Sequence, residues 1–301
     1  MRITARVPAT SANLGPGFDC FGVALELRTD TTLAVGEPFS IAIQGEGANR
    51  IARDERNLAF RAVRTFYERI GREPPSFALT INSRIPLTGG LGSSSAGILG
   101  GLLAANVAAG RPMDADGILA LAAELDGHPD NVAPALLGGL VVAVADPPRG
   151  PVTLSLPIPN ELSAVVYVPT FTMPTKRARA LLPPVVPRAD AIFNAGRTAL
   201  LVAALQTGQL DYLRIATQDR LHQPYRSKLF PALPTVIEAA LAAGARGAAL
   251  SGAGSAVLAL ATGRQTQIGQ AMKDAALRRG VHGRWLAVDV ARAGAEVIEE
   301  G

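Results

Sequence analysis

Short segments in the N-terminal part of the chain alternate between apolar and polar residues. A period of two places one face of each segment against a core, and it predicts strands at residues 2–9, 39–44 and 77–82. Residues 58–70 instead space their apolar side chains with a helical period, which predicts a helix. Strands and helices are therefore mixed in this part of the chain.

A long apolar run, ILGGLLAANVAA at residues 98–109, follows a stretch rich in glycine and serine, PLTGGLGSSSAG at residues 86–97. No charge occurs between residues 87 and 110, and a GxxxG pattern lies within them, both of which are found in transmembrane helices. Only about 14 residues remain for an apolar helix, however, and a membrane span needs about 20. The pattern predicts a buried helix over residues 94–109 that ends at Gly110 and Pro112.

The remainder of the chain adds further predicted helices and strands. Asp114 and Gly127 are typical cap residues that frame one more helix, and the Pro-rich interval at residues 147–151 is the expected domain boundary. The other predictions are strands at residues 140–145 and 162–168, helices at residues 190–206 and 233–243, and a hairpin across residues 246–260. The order indicates an α+β fold with two domains, residues 1–150 and 151–301.

Composition narrows the class of protein. The chain has 301 residues, of which 48% are hydrophobic and 18% charged, so it can bury a large core. Its net charge of +4 includes no basic block, which argues weakly for an anionic small molecule and hardly for nucleic acid. A single cysteine excludes an intrachain disulfide, and three scattered histidines do not suggest a metal site. With no signal-peptide pattern, we expect a cytoplasmic protein without nucleic-acid or membrane partners.

The stretch PLTGGLGSSSAG leads from flexible residues directly into the predicted buried helix. Such a loop lets backbone N–H groups converge where the helix dipole already favours an anion, so it is a candidate phosphate site. Glycines permit close approach of the backbone, and serine hydroxyls suit phosphate or Mg²⁺. The patterns GxxxxGK[ST] and GxGxxG of other nucleotide sites do not describe it. On these residues alone, a glycine turn with a serine N-cap is an equal alternative.

Two further stretches favour the phosphate site over the simple glycine turn. They are VPATSANLGPGFDCFG at residues 7–22 and ALSGAGSAVLAL at residues 249–260. Together with the glycine-rich loop they resemble the three motifs of the GHMP kinase superfamily, in the same order. Three more segments, HPDNVAP at residues 128–134, TKRARALLP at residues 175–183 and LHQPYR at residues 221–226, are similar to the homoserine kinase family in particular. The resemblance covers essentially the whole chain.

This resemblance implies a fold and an activity. The fold is a ribosomal-protein-S5-like N-terminal domain and a ferredoxin-like C-terminal domain with the active site between them. The implied reaction is Mg²⁺-dependent transfer of a phosphoryl group from ATP to the hydroxyl of L-homoserine, in threonine biosynthesis. Members are often dimers, so a homodimer is an expectation as well. Two other hypotheses stay open, a GHMP kinase for shikimate or an isoprenoid alcohol, and a regulatory member without catalysis.

The resemblance also assigns residues to ATP. The metal ligands it implies are Ser94 and Glu124, although a carboxylate at a helix end is on sequence alone equally well explained as a solvated side chain. Asn57 is the expected adenine contact, and Arg84 is an expected neighbour of phosphate or ribose. The implied phosphate-binding loop consists of Pro86, Gly89, Gly90, Leu91, Gly92, Ser93, Ser94 and Ser95.

The acceptor would be held by a second group of residues. By resemblance, Asn13, Asp19 and Asp130 surround its hydroxyl and ammonium. Arg179 and Arg226 bind its carboxylate, for which a guanidinium fork is well suited. Thr175 is a further polar contact in the same prediction.

Asn131 stands where mevalonate kinase relatives carry an aspartate that is proposed as general base. Because an amide has no useful basicity, the resemblance implies that the hydroxyl loses its proton late, to the transferred phosphoryl group, while Asn131 orients groups. His128 is interpreted as a loop or helix-end residue rather than a base.

Overall fold

The computed structural model describes residues 1–87 and 89–300. Its N-terminal elements are β1 (Arg2–Ala12), β2 (Phe21–Val35), β3 (Ser40–Gly45), α1 (Leu58–Arg69), β4 (Phe77–Ser83), α2 (Ser93–Ala108), α3 (Ala115–Asp126), α4 (Pro129–Leu137), β5 (Leu140–Asp146) and β6 (Gly150–Leu156). They are followed by β7 (Ser163–Pro169), α5 (Thr175–Ala180), α6 (Arg188–Thr207), a short 3₁₀ helix (Leu210–Tyr212), α7 (Leu213–Ala216), α8 (Gln223–Arg226), α9 (Leu233–Ala242), β8 (Gly247–Leu250), β9 (Val257–Ala261), α10 (Gln265–Arg278), β10 (Gly283–Asp289) and β11 (Glu296–Glu300).

Every helix and strand that the hydrophobic pattern predicts is present, with ends shifted by a few residues. Helix α3 begins after Asp114, whose side chain accepts a hydrogen bond from the backbone N–H of Gly117 at 2.8 Å, and it ends at Gly127. Strand β2 is missing from the prediction, although Glu26, Arg28 and Asp30 alternate with less polar residues along it. The predicted α+β class is confirmed.

The first sheet has seven strands. Its main order is β11-β1-β2-β4-β3, with β5 paired to β2 and β6 paired to β5. Strand β2 is 15 residues long and changes partner along its length, since residues 21–23 pair with β5 and residues 29–35 pair with β4. The second sheet is antiparallel, with the order β10-β7-β9-β8, and α9 and α10 pack against it.

The two sheets do not divide at the predicted domain boundary. The Pro-rich interval forms the turn of the β5–β6 hairpin, in which Asp146 pairs with Gly150. Strand β11 returns from the C-terminal part of the chain to pair with β1. The first sheet therefore contains strands from both predicted segments. The prediction missed this because prolines in the sequence carry no information about pairing between distant strands.

Helix α2 lies between the first sheet and α1, as the prediction of a buried helix requires. A Cβ at Gly100 would lie 2.4 Å from Oγ1 of Thr31, and one at Gly101 would lie 2.4 Å from the carbonyl oxygen of Ala59. Small residues are therefore needed on both sides, which explains a glycine pair within an apolar run. None of the helices in the described ranges is both long and apolar enough to cross a membrane.

Candidate active site

A cavity of about 390 Å³ brings together residues from all three motifs. The predicted site residues that line it are Asn13, Asp19, Pro86, Gly89, Gly90, Leu91, Gly92, Ser93, Ser94, Asp130, Asn131, Thr175, Arg179 and Arg226. The predicted residues that do not line it are Asn57, Arg84, Ser95 and Glu124. The structure thus places most of the predicted phosphate loop and all of the predicted acceptor residues around one space.

Left-handed backbone conformations shape the loop before α2. Gly90 and Gly92 have φ angles of 83° and 67°, a region that other residues rarely adopt. A Cβ at Gly90 would lie 2.1 Å from the carbonyl oxygen of Ser251, and one at Gly92 would lie 2.0 Å from Oγ1 of Thr10. The loop is packed between the first and third motifs, and it has room only for glycine at these two positions.

The first backbone N–H groups of α2 donate no hydrogen bond to a capping side chain among the described residues, since Gly92 is the N-cap. The alternative of a serine N-cap is wrong, because the hydroxyls of Ser94 and Ser95 donate to Asp126 instead, at 2.9 and 2.7 Å. These amides stand at the positive end of a 16-residue helix. They therefore favour an anion such as phosphate.

The carboxylate that lies beside Ser94, the other predicted magnesium ligand, is Asp126 and not Glu124. Glu124 pairs with Arg69 on the surface, Oε2 to Nη2 at 2.7 Å, whereas Asp126 lines the cavity beside the serines. The prediction for Glu124 is wrong because residues two apart on a helix point to different sides. Sequence reasoning missed Asp126, although its place directly before Gly127 and the HPDN segment is a signal that could have found it.

The oxygen atoms around Asp126 fit a magnesium ion. Burial raises the pKa of Asp126, and the hydrogen bonds from Ser95 and Ser94 act in the opposite direction. A carboxylate and a hydroxyl are hard oxygen donors, which Mg²⁺ prefers, and Mg²⁺ commonly binds substrate phosphates as well. The part of the chain that the structure describes has no group of three or more His, Cys, Asp or Glu side chains suited to a metal. The residues present suit an Mg²⁺ ion that nucleotide phosphates help to hold.

Arg179 and Asp19, which both line the cavity, form a bidentate ion pair. The Nη2 atom of Arg179 lies 2.6 Å from Oδ1 of Asp19, and Nη1 lies 3.1 Å from Oδ2. Both side chains are about one-third exposed. The arginine is on α5 and the aspartate is in the first motif, so this contact joins the two parts of the chain that the resemblance assigns to the acceptor.

Arg226 on α8 places a buried cation in the same region. The residue is only 1% exposed, and its Nη1 donates to Nδ1 of His222 at 3.1 Å and to the carbonyl oxygen of Gly252 at 2.9 Å. Burial lowers the pKa of Arg226 to about 10, so it remains charged at neutral pH. No described carboxylate lies within ion-pair distance of it, and its Nε has no hydrogen-bond partner. A buried cation without a counter-ion is costly, so the site is suited to an anionic group of a ligand.

Phe18 and His222 support the two arginines, and sequence reasoning missed this role of both. The guanidinium carbons of Arg179 and Arg226 lie 5.4 and 5.3 Å from the centre of the Phe18 ring. His222 stacks on the same ring, and its Nε2 lies 2.7 Å from the carbonyl oxygen of Gly15. Burial lowers the pKa of His222 to about 4, so the ring is neutral and Nδ1 can accept from Arg226.

Asp130 and Asn131 begin helix α4 on the wall of the cavity. Burial raises the pKa of Asp130 to about 7, and the negative charges of Asp19 and Asp126 add to this effect. The side-chain oxygen of Asn131 accepts a hydrogen bond from Oγ1 of Thr10 at 2.8 Å, and its Nδ2 donates to Oδ1 of Asp130 at 3.4 Å. These contacts fix the orientation of the Asn131 amide.

Asn13 shapes the loop that carries Asp19. Its Nδ2 donates to the carbonyl oxygen of Gly252 at 2.9 Å, and its side-chain oxygen accepts from the backbone N–H of Asp19 at 3.0 Å. Both residues have left-handed backbone conformations, with φ of 72° and 58°. The Asn13 side chain therefore ties the first motif to the third and fixes where the carboxylate of Asp19 begins.

Two other lining residues are Thr175 and His128. Thr175 is the first residue of α5. His128 is the N-cap residue of α4, at a helix end as predicted, and its side chain makes no capping hydrogen bond. Burial, and then the charge of Arg179, lower the pKa of His128. A neutral imidazole therefore faces the cavity.

Asn57 and Arg84, both predicted to contact ATP, line other cavities. Asn57 caps α1, accepting from the backbone N–H groups of Ala59 and Phe60, and it lines a smaller cavity of about 140 Å³ beside Ser94. Its contact with adenine stays a prediction. Arg84 lies on another cavity with Arg6, Asp30 and other charged residues, contrary to the prediction. Alternation explains this, because Arg84 and the buried Ser83 point to opposite faces of β4 and its extension.

Comparisons with known proteins agree with this geometry. Residues 57–139 match the model of the GHMP kinases N terminal domain, and residues 201–277 match that of the GHMP kinases C terminal domain. The fold is shared with the crystal structure of mevalonate kinase from L. major, which is 15% identical, with a TM-score of 0.72 over 96% of each chain. The protein is therefore a two-domain GHMP kinase.

More similar relatives identify the family within this class. Homoserine kinase from Carboxydothermus hydrogenoformans is 46% identical over 91% of this chain and 90% of its own length. Homoserine kinase from Desulfitobacterium hafniense is 42% identical over 98% of this chain and 100% of its own. The crystal structure of homoserine kinase from Cytophaga hutchinsonii has a TM-score of 0.88 and 31% identity, covering 99% of this chain and 97% of that one. The chain belongs to the homoserine kinase family.

Proposed function

We propose that this protein transfers the γ-phosphoryl group of ATP to the side-chain hydroxyl of L-homoserine, giving O-phospho-L-homoserine and ADP. The single observation that carries the proposal is one cavity lined by two complementary groups of residues. The uncapped amides of α2 form the group that we call the phosphate end, and Arg179, Asp19 and the buried Arg226 form the group that we call the acceptor end. We place the enzyme in the cytoplasm and in threonine biosynthesis, where this product is used.

The phosphate end binds and orients ATP. Phosphoryl transfer depends mainly on positioning and on neutralising charge around the γ-phosphate. The backbone from Gly89 to Ser93 and the first turn of α2 supply N–H groups that stay in place because the loop is packed on Ser251 and Thr10. Ser94 and Asp126 would hold Mg²⁺, which when bound neutralises the charge that develops on the phosphates.

The acceptor end recognises an amino acid. Homoserine carries a carboxylate, an ammonium and a primary hydroxyl, and each needs a partner. Arg226 and Arg179 bind the carboxylate, and Asp19 binds the ammonium. The hydroxyl then lies toward Asp130 and Asn131, with Asn13 and Thr175 as further polar contacts. Arg226, which has no carboxylate within ion-pair distance among the described residues, thereby gains one when the substrate binds.

The chemical step requires the acceptor oxygen to attack the γ-phosphorus in line with the departing ADP. The bond from the γ-phosphorus to the bridging oxygen breaks, and the hydroxyl gives up its proton. Asn131 cannot take this proton, and the orientation that Thr10 imposes suits it to direct the hydroxyl. The proton therefore leaves late, to the transferred phosphoryl group, and no strong general base is required.

A different acceptor alcohol is the main competing function. Shikimate and mevalonate have a carboxylate but no ammonium, so they would leave Asp19 without a cationic partner once Arg179 turned to the carboxylate. The ion pair between Asp19 and Arg179 thus favours an amino acid. A regulatory role without catalysis is disfavoured by the cluster of Ser94, Ser95 and Asp126, whose oxygen atoms fit a metal.

The test is an assay of ADP release from MgATP with L-homoserine, L-serine, shikimate and mevalonate as acceptors. Turnover confined mainly to homoserine is the expected result. Turnover with another alcohol would retain the phosphate site and contradict the roles of Asp19, Arg179 and Arg226. Binding of ATP without turnover of any acceptor would favour the regulatory hypothesis.

A further inference from the structure

The two side chains that we assign to opposite ends of the amino acid are paired with each other in this structure. Arg179 contacts Asp19 through both Nη atoms, at 2.6 and 3.1 Å. The pair carries one positive and one negative charge, as do the carboxylate and ammonium of homoserine. This inference rests on the proposed function, because that function makes the two residues the partners of the substrate.

We propose that the Arg179–Asp19 ion pair occupies the place of the substrate's charges and opens only for an acceptor that carries both a carboxylate and an ammonium. A zwitterion exchanges partners with the pair. Its carboxylate takes Arg179 together with Arg226, and its ammonium takes Asp19. The enzyme then selects amino acids through the two charges jointly rather than through each separately.

The surroundings allow the pair to open without losing its position. Asp19 is fixed at its backbone by the hydrogen bond to Asn13, while its side chain and that of Arg179 stay about one-third exposed. The guanidinium of Arg179 lies over Phe18, and its buried Nε has no hydrogen-bond partner. The ion pair is thus the principal contact of the Arg179 head group, and a ligand can replace it.

Charge balance explains why one substrate charge is not enough. An acid without an ammonium can bind Arg179 only by leaving Asp19 unpaired. An amine without a carboxylate can bind Asp19 only by leaving Arg179 unpaired, beside a second cation, Arg226. Leaving a partly buried charge without a partner is costly, so each such ligand is opposed by the ion pair itself.

The experiment measures binding by calorimetry for three ligands. These are L-homoserine, γ-hydroxybutyrate, which lacks the ammonium, and L-homoserinol, in which an alcohol replaces the carboxylate. The variants are Asp19→Asn and Arg179→Gln, with Arg177→Gln as the matched control because Arg177 is an exposed residue on the same helix that does not line the cavity. Asparagine tolerates the left-handed backbone of position 19, so this variant keeps the loop conformation.

The expected result is a reversal of preference. Asp19→Asn should bind γ-hydroxybutyrate about fivefold more tightly than the wild type does and homoserine about tenfold more weakly, because Arg179 is freed while the ammonium loses its partner. Arg179→Gln should show the mirror image, with tighter L-homoserinol and weaker homoserine. Arg177→Gln should match the wild type for all three ligands.

Two outcomes would overturn the inference. In the first, Asp19→Asn loses as much affinity for γ-hydroxybutyrate as for homoserine, and Arg179→Gln loses as much affinity for L-homoserinol as for homoserine. The ion pair then does not oppose ligands with a single charge, and the inference is wrong while the proposed function stands. If the wild type neither binds nor phosphorylates homoserine, the proposed function falls and takes the inference with it. Thermal melting of each variant checks folding, and either variant alone can decide the question.

Discussion

The two ends of the cavity are formed by different kinds of chemical group. The phosphate end consists of backbone amides, glycines and small hydroxyl residues around the start of α2. The acceptor end consists of long charged side chains, Arg179 and Arg226, with the carboxylates of Asp19 and Asp130. Both ends recognise charged groups. The acceptor end does so mainly with charged side chains, whereas Asp126 is the one charged side chain that we assign to the phosphate end.

This difference suggests how one fold can keep the same ATP site while its acceptor site changes. A backbone site depends on close packing, so a single added carbon disrupts it. A side-chain site depends on which charges are present, so a single substitution changes its preference and leaves the backbone in place. Substitutions at the phosphate end should therefore lower kcat strongly, and those at the acceptor end should change the affinity for the acceptor.

The largest effect is expected at Gly90. In Gly90→Ala the new Cβ would lie 2.1 Å from the carbonyl oxygen of Ser251, so the loop must move away from the third motif. Misplacement of the phosphates by about 1 Å costs on the order of 100-fold in kcat, and the melting temperature should fall as well. Gly196→Ala is the control, since Gly196 on α6 has open space around its Cβ position. Normal kcat in Gly90→Ala would show that the backbone end is not rigid.

The next effect distinguishes the two candidate metal ligands. Asp126→Asn removes a carboxylate charge beside Ser94, and kcat at limiting Mg²⁺ should fall by about 100-fold, as the loss of several kcal/mol of charge stabilisation predicts. Glu124→Gln removes only an exposed ion pair with Arg69 and should change kcat by less than about twofold. Titrations of activity with Mg²⁺ measure both. Equal losses in the two variants would contradict the assignment to Asp126.

At the acceptor end, Arg226→Ala should raise KM for homoserine by about 30-fold or more, because loss of one partner of a desolvated charge pair costs about 2–5 kcal/mol. KM for ATP should change little, since Arg226 is outside the phosphate loop. Initial-rate kinetics with each substrate varied in turn provide the measurement. Equal increases in the KM for homoserine and the KM for ATP would contradict the assignment of Arg226 to the acceptor site, and with it the contrast between the two ends.

The smallest effect concerns Asp130, whose pKa is raised to about 7. Because the ionised carboxylate binds the acceptor, KM for homoserine should be about tenfold higher at pH 6 than at pH 8 in the wild type. In Asp130→Asn the pH dependence should be flat across this range. The control is KM for ATP, which this carboxyl should not influence. A wild-type profile without a change between these pH values would contradict the role of Asp130.

The same raised pKa has a consequence for stability. A buried acid whose pKa is higher in the folded state stabilises the fold fully below its unfolded pKa of 3.8, and this contribution is lost as pH rises through about 7. Asp130→Asn should therefore be more stable than the wild type above pH 7, and the gap should close as pH falls toward 4. Melting temperatures of both proteins across this pH range provide the measurement. A wild type that is more stable than Asp130→Asn above pH 7 would contradict the prediction.

The sequence predicts local features of this molecule well. Periodicity finds α1, and the caps Asp114 and Gly127 mark the ends of α3, because these features depend on residues within a few positions of one another. The glycine-rich loop can be recognised as a phosphate site for the same reason. All of the residues predicted for the acceptor line the cavity, but that prediction came from a family resemblance and not from the pattern of the chain.

Features that depend on distant pairing or on direction were not predicted. The pairing of β11 with β1 joins residues 296–300 to residues 2–6, and the local pattern of neither segment identifies such a distant partner. Glu124 and Asp126 are both carboxylates on α3, and only the packing of that helix on α2 decides which one faces Ser94. Arg84 was misassigned because the face of the sheet to which it points depends on the register of β4.

The position of β11 also bears on the order in which the protein is made. Strand β1 pairs on one side with β2, which follows it closely in the chain, but its other neighbour, residues 296–300, is synthesised only after β2 to β10. During translation this edge of β1 is therefore without its partner until residues 296–300 have emerged. An open strand edge can pair with other chains, so this side of β1 is a place where an incompletely synthesised chain can aggregate.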